Sequence, residues 1–133
     1  MNTLKAKITN TQNDKNIALI ELDSCFGMFL VLLIVAESKQ EWQRGQEVRV
    51  VFKQTDVLLS LSNDSSLGIQ NCFTQKVSSI KQDYILSSVE FEGGVSALLS
   101  TYDCKHLQTM GLKVGAACSW IINPTQILLQ QLD

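Results

Sequence analysis

The side chains with the clearest capacity for nucleophilic or metal chemistry are Cys25, Cys72, Cys104, Cys118 and the lone histidine, His106. Their spacing argues against both. No two cysteines lie two residues apart, so the C-x-x-C pair used for zinc or for redox work is missing. Reduced thiols are the expectation. A single imidazole with no paired cysteines makes a poor metal site, and His106 reads as a surface residue of a short helix. Asp14, Asp23 and Asp133 read as solvated, and no two carboxylates are spaced for acid–base work. With no nucleophile–base pair, metal cluster or cofactor loop, the expectation is a binding protein and not an enzyme.

Bulk properties narrow what could be bound. Of the 133 residues, 45% are hydrophobic and 18% charged, which favours a buried core over disorder. The net charge of −2 disfavours nucleic acid, whose phosphates need clustered Lys and Arg. A small anion stays open, because backbone N–H groups and one or two local cations can hold it. The apolar run Phe26–Ala36 covers 11 residues, short of the ~20 that cross a bilayer, and Met1–Asn16 lacks the pattern of a signal peptide. A soluble cytoplasmic protein with no membrane insertion is expected.

The elements that would position a site read as short strands. Runs rich in β-branched and aromatic residues lie at Leu4–Ile8, Ile17–Leu22, Met28–Val35, Val48–Phe52 and Val57–Leu61. A second series follows at Phe73–Val77, Ile85–Phe91, Val95–Leu99, Cys118–Ile122 and Ile127–Leu132. Polar turns are expected at Thr9–Asn16 and Ser78–Asp83, and a linker at Asn63–Ser66. Thr101–Met110 and Ala36–Arg44 read as short helical turns closing on Gly111 and Gly45. Such spacing predicts an all-β sandwich or small barrel.

The two series superimpose as a repeat. Val51-Phe-Lys-Gln-Thr-Asp-Val-Leu-Leu59 lies over Ile121-Ile-Asn-Pro-Thr-Gln-Ile-Leu-Leu129, and Trp42-x-x-Gly45 over Leu112-x-x-Gly115, both at an offset of 70. Asn2, Lys7-Ile8 and Ile20-Glu-Leu22 lie over Asn71, Lys76-Val77 and Val89-Glu-Phe91 at an offset of 69. The expected organisation is two tandem units, residues 1–62 and 67–133. Each is small, with open edges, so exchange of strands with its twin or with another chain would stabilise it. The run Phe29–Val35 has no polar alternate face, so the twin unit or a second subunit should cover both sides.

This pattern resembles the molbindin family, also called the Mop or TOBE domain, in its tandem di-Mop form. The resemblance rests on Asn2-Thr-Leu-Lys-Ala-Lys-Ile8 and Val51-Phe-Lys-Gln-Thr-Asp-Val57 in the first unit. In the second it rests on Leu67-Gly-Ile-Gln-Asn71, Lys76-Val77, Gly93-Gly94, Met110-Gly-Leu-Lys-Val-Gly115 and Ile122-Asn-Pro-Thr-Gln-Ile127. It implies two OB-like five-stranded barrels with strand exchange, assembled into a homo-oligomer (trimer or dimer). It also implies molybdate or tungstate held where units meet. The chain shows no phosphate loop and leaves no room for a helix-turn-helix before Leu4, so ATP hydrolysis and DNA binding are not expected.

Carried over position by position, the resemblance gives Lys53 and Thr55 as oxyanion ligands in the first unit and Asn123 and Thr125 in the second. Gln70 stands where the family has Arg and Gly68 where it has Ser. Asp103 and His106 stand where the family has hydroxyl residues, and a carboxylate there opposes an anion. Each site residue also has a plainer reading: Lys53 as a solvated strand residue, Thr55 and Thr125 as hydroxyls bonding nearby turn amides. Trp42 and Trp120 fit the core or an interface. The leading function is cytoplasmic molybdate or tungstate binding for storage or homeostasis. The competing one is an oligomerising interaction module of the molybdate transport system whose pockets have decayed.

Overall fold

The computed structural model describes residues 1–34, 42–62 and 67–132. Strands β1 (Asn2–Asp14), β2 (Ile17–Ser24), β3 (Gly27–Ile34), β4 (Glu47–Phe52) and β5 (Leu58–Ser60) occupy the first half. The second half holds β6 (Cys72–Gln82), β7 (Leu86–Phe91), β8 (Ser96–Ser100), α1 (Thr101–Thr109), β9 (Ala117–Ile121) and β10 (Leu128–Gln131). A 3-10 turn precedes β5 (Gln54–Asp56) and another precedes β10 (Pro124–Gln126). The expected helix at Thr101–Met110 is thus present, its first turn capped by the Ser100 hydroxyl, which accepts from the Asp103 N–H. The expected helical turn at Ala36–Arg44 and the linker at 63–66 fall largely or wholly outside the described residues.

The chain is mostly β and builds two five-stranded antiparallel sheets, ordered β10-β4-β1-β2-β3 and β5-β9-β6-β7-β8. Each sheet takes one edge strand from the other half of the chain. Leu128 in β10 pairs with Val51 in β4, and Leu58 in β5 pairs with Ile121 in β9, in corresponding registers. Further details recur at the offsets read from the sequence. The β1 and β6 ladders both shift register after one buried residue, at Ile8/Asn10 and Val77/Ser79. Ile8 and Val77 each accept from a glycine N–H, Gly45 and Gly115, at 2.8 Å.

Two expected turns are strands. Thr9–Asn16 was expected to be a turn, yet β1 runs to Asp14 and only Lys15-Asn16 turns, with Lys15 at φ 56°. Ser78–Asp83 likewise carries β6 as far as Gln82. Polar composition misleads here because both faces of the β1 extension meet solvent, while cross-strand hydrogen bonds from β2 hold it extended.

One side of each strand faces a core shared by both sheets. Ile8, Ile20, Leu22, Phe29, Val31, Val48, Val50 and Phe52 of the first sheet join Val77, Val89, Phe91, Cys118 and Trp120 of the second. Phe29 and Phe73 lie 4.5 Å apart between ring centroids, and Phe73 and Trp120 4.7 Å. Phe52 stacks on Trp120 at 5.9 Å. Trp120 is therefore a core residue, and Trp42 packs half-buried at its margin.

Two buried asparagines bind the sheets together. Asn71 donates to the Leu30 carbonyl and accepts from the Leu30 N–H, both at 2.8 Å, in the middle of edge strand β3. Asn2 does the same to Ser96 on edge strand β8, at 2.8 and 2.9 Å. A primary amide can satisfy both backbone groups of one residue, so Leu30 and Ser96 are each paired across to the other half and not left open at the edge.

The apolar run is covered on one face only. Phe29 and Val31 are fully buried, but Met28 is 45% exposed and Ile34 83% exposed, beside the exposed Ile17 paired with Ile34. The twin half does not cover that second face.

Gly93, in the β7–β8 hairpin, has φ +100°, and a Cβ there would meet the Phe26 ring at 2.7 Å. Gly94 has φ +95° with open space around it. Both alanine variants should lose about 1–2 kcal/mol from the left-handed backbone. Gly93→Ala should lose a further ~1 kcal/mol or more, because Phe26 packs edge-on against Trp120 at 5.4 Å. Urea unfolding of the two variants tests this; equal losses would show that Phe26 moves aside freely.

Candidate functional site

Because β10 pairs with β4, the 3-10 turn that leads into β10 lands beside the residues that follow β4. A cleft of about 200 Å³ opens between them. Met1, Val51, Phe52, Ile127 and Leu128 line it, and Lys53, Asp56, Thr125 and Gln126 supply polar side chains. Lys53 and Thr125, one from each half, thus face the same space. The floor is held by packing, since Phe52 and Ile127 are buried.

The other expected ligands are placed differently. Thr55 lies exposed on the first 3-10 turn and does not line this cleft. Gln70 is exposed ahead of β6, where its carbonyl accepts from the Cys72 N–H at 2.7 Å. Asn123 is exposed and works locally: its Oδ1 accepts from the Thr125 N–H at 3.0 Å and the Thr125 hydroxyl at 2.9 Å. The Thr125 hydroxyl is thus engaged within its own turn. An anion in the cleft would need that hydroxyl to rotate away from Asn123 before it could donate.

By register, Asn123 and Thr55 occupy on the β5–β9 side the positions that Lys53 and Thr125 hold on the β10–β4 side. No lysine stands there. A groove of about 490 Å³ lies between β5 and α1 instead, walled mainly by leucines, with Asp103 and His106 on its helical side. An aliphatic groove carrying a carboxylate is poorly suited to a dianion.

Asp56 and Gln126 were not anticipated. Asp56 offsets the charge of Lys53, so a bound anion would depend on N–H and hydroxyl donors as well as the ammonium. Both residues follow a recognised motif position by one or three residues, which is the only sequence signal that pointed to them. The cleft can hold a small group that accepts hydrogen bonds, and among the described residues it offers no nucleophile with an adjacent base.

The cysteines divide by burial. Cys25 is exposed, whereas Cys104 and Cys118 are buried. Burial raises the Cys118 thiol to about 11, with a backbone hydrogen bond at Ser60 acting the other way. The unfolded thiol ionises near 9.0 while the folded one keeps its proton, so this contribution is intact below pH 9 and is lost as pH rises toward 11. The expected loss is about 2–3 kcal/mol. Denaturant unfolding from pH 8 to 11 should show a steeper decline for the natural protein than for Cys118→Ala; parallel slopes would count against a buried thiol.

Each sheet with its borrowed edge strand defines a class: paired five-stranded antiparallel units sharing a core, with a cleft where the halves interlock. No family model matches the chain, and no curated protein matches it. Among solved structures, it is similar to the cytoplasmic molybdate-binding protein ModG, crystallised with molybdate bound. The TM-score is 0.85 at 20% sequence identity, covering 98% of this chain and 96% of that one. At that identity the likeness establishes the fold. No helix among the described residues is long and apolar enough to cross a membrane.

Proposed function

We propose that this protein binds a small tetrahedral oxyanion, molybdate or tungstate, in the cleft between Lys53 and Thr125, as a cytoplasmic store or buffer. The observation that carries the reading is the meeting of the two closing motifs in one cleft, with the cation from one half and the hydroxyl from the other. The molybdate bound in ModG, on the same fold, supports the choice of anion. In this reading the chain is a tandem molbindin: units 1–62 and 67–133, each an OB-like barrel, exchange their closing strands. Thr55, Asn123 and Gln70 are secondary ligands, recruited only where another subunit completes their surroundings.

Isothermal titration with molybdate, tungstate and sulfate tests it. Micromolar or tighter binding of molybdate and tungstate over sulfate is expected; no heat at millimolar anion would overturn it. The exposed Ile17, Met28 and Ile34 favour a second reading, an oligomerising module of molybdate transport built as a trimer or dimer. A protein that assembles in sedimentation yet binds no oxyanion would select it.

A further inference from the structure

The two 3-10 turns are held in unlike ways. The second packs against β3 and is also fixed from within: Pro124 sets its first φ, the Asn123 side chain caps it, and the Gln126 N–H donates to the Asn123 carbonyl at 2.9 Å. The first, which carries Lys53 at its start, has neither a side-chain cap nor a proline; its Asp56 N–H donates to the Lys53 carbonyl at 3.1 Å and its Val57 N–H to the Gln54 carbonyl at 3.4 Å. Without a cap or a ring to fix it, it relies more on contacts from outside.

It is tethered instead to the other half of the chain. The Gln54 Nε2 donates to the Ser96 hydroxyl at 2.5 Å on edge strand β8. That hydroxyl is directed at the Asn2 Oδ1, 3.4 Å away, which also accepts from the Ser96 N–H. Asn2 and Ser96 are buried. The donors thus run in one order, from Gln54 to Ser96 to Asn2, with the Ser96 hydroxyl both accepting and donating. At the corresponding place on the second turn, the offset of 70 puts Pro124 where the first has Gln54, and no such relay is needed.

We infer that Gln54, Ser96 and Asn2 are positioning residues for the oxyanion site: a relay through Ser96 of the second half that sets the Lys53 turn before the anion arrives. The inference rests on the reading given under Proposed function. Preorganisation of this kind contributes affinity by removing the cost of ordering the turn on binding.

Two measurements on the full chain separate the inference from that reading. The first is titration with sodium molybdate of the natural protein, Ser96→Ala, Ser96→Thr and Gln54→Met. Ser96→Ala and Gln54→Met should bind roughly 5- to 20-fold more weakly, and Ser96→Thr, which keeps the hydroxyl, should recover most of the affinity. The second is amide hydrogen exchange, which needs no anion. The Asp56 and Val57 amides should exchange faster in Ser96→Ala and Gln54→Met and return toward normal in Ser96→Thr, while the Gln126 amide is unaffected. If the natural protein binds no molybdate, the oxyanion reading falls, and the site-positioning role falls with it; exchange then reports only whether the relay holds the turn. If molybdate binds but the variants match the natural protein in affinity, or exchange at Asp56 and Val57 is unchanged, the relay is overturned and the oxyanion reading stands.

Discussion

Trp120→Ala should cost about 3–5 kcal/mol of unfolding free energy, enough to bring a domain of ordinary stability close to its threshold. The indole is fully buried among Phe26, Phe29, Phe52 and Phe73, and its Nε1 donates to the Gln75 side chain at 3.1 Å. Truncation leaves a cavity that four rings cannot refill without leaving their rotamers, and it orphans the Gln75 carbonyl. Trp120→Phe keeps much of the volume and should lose roughly half as much. Phe29 and Phe52 belong to one sheet and Phe73 and Trp120 to the other, so both sheets should melt in one transition for every variant. Urea unfolding followed by circular dichroism measures this. A loss below about 1 kcal/mol, or two separate transitions, would contradict a shared core.

Lys53→Ala should weaken molybdate binding by roughly 10- to 100-fold, the scale of one lost charge-assisted hydrogen bond. Lys53→Glu should abolish it, since the cleft would then carry two carboxylates with Asp56. Asp56→Asn is expected to act in the opposite sense and tighten binding several-fold, because it removes the only acid among the described residues lining the cleft. Lys7 lies on the outer side of β1, against a different depression, and Lys7→Ala should change affinity less than 2-fold. Titration at constant ionic strength separates these outcomes. An unchanged affinity in Lys53→Ala would remove that residue from the site, while an equal loss in Lys7→Ala would point to general attraction and not a pocket.

These expectations rest on features of unequal visibility. The strand series, the helix at Thr101–Thr109 and the repeated glycines were legible, because alternation, capping and left-handed backbone are local properties of a few residues. The ends of β1 and β6 were not. Asn, Asp and Ser signal turns only until a partner strand supplies hydrogen bonds, and that partner is chosen by the fold. The apolar run at Phe29–Val35 announced burial correctly for Phe29 and Val31 and overstated it for Ile34, since composition reports affinity for cover and not whether one chain can provide it.

The candidate site divides in the same way. Lys53 and Thr125 could each be named from motif position, yet nothing along the chain joins residues 72 apart. Their meeting depends on β10 leaving its own half to pair with β4, a long-range choice made by the packing of a whole sheet. Asn2 and Asn71 recur at the repeat offset, but only the folded chain reveals that each grips an edge strand of the other half. The sequence by itself determined the strands and their inward faces, which follow from side-chain chemistry acting over a few residues. Tertiary structure alone decided which strands pair, which turn carries the cation into a cleft, and what holds that turn, because those depend on contacts whose partners lie far apart in the chain.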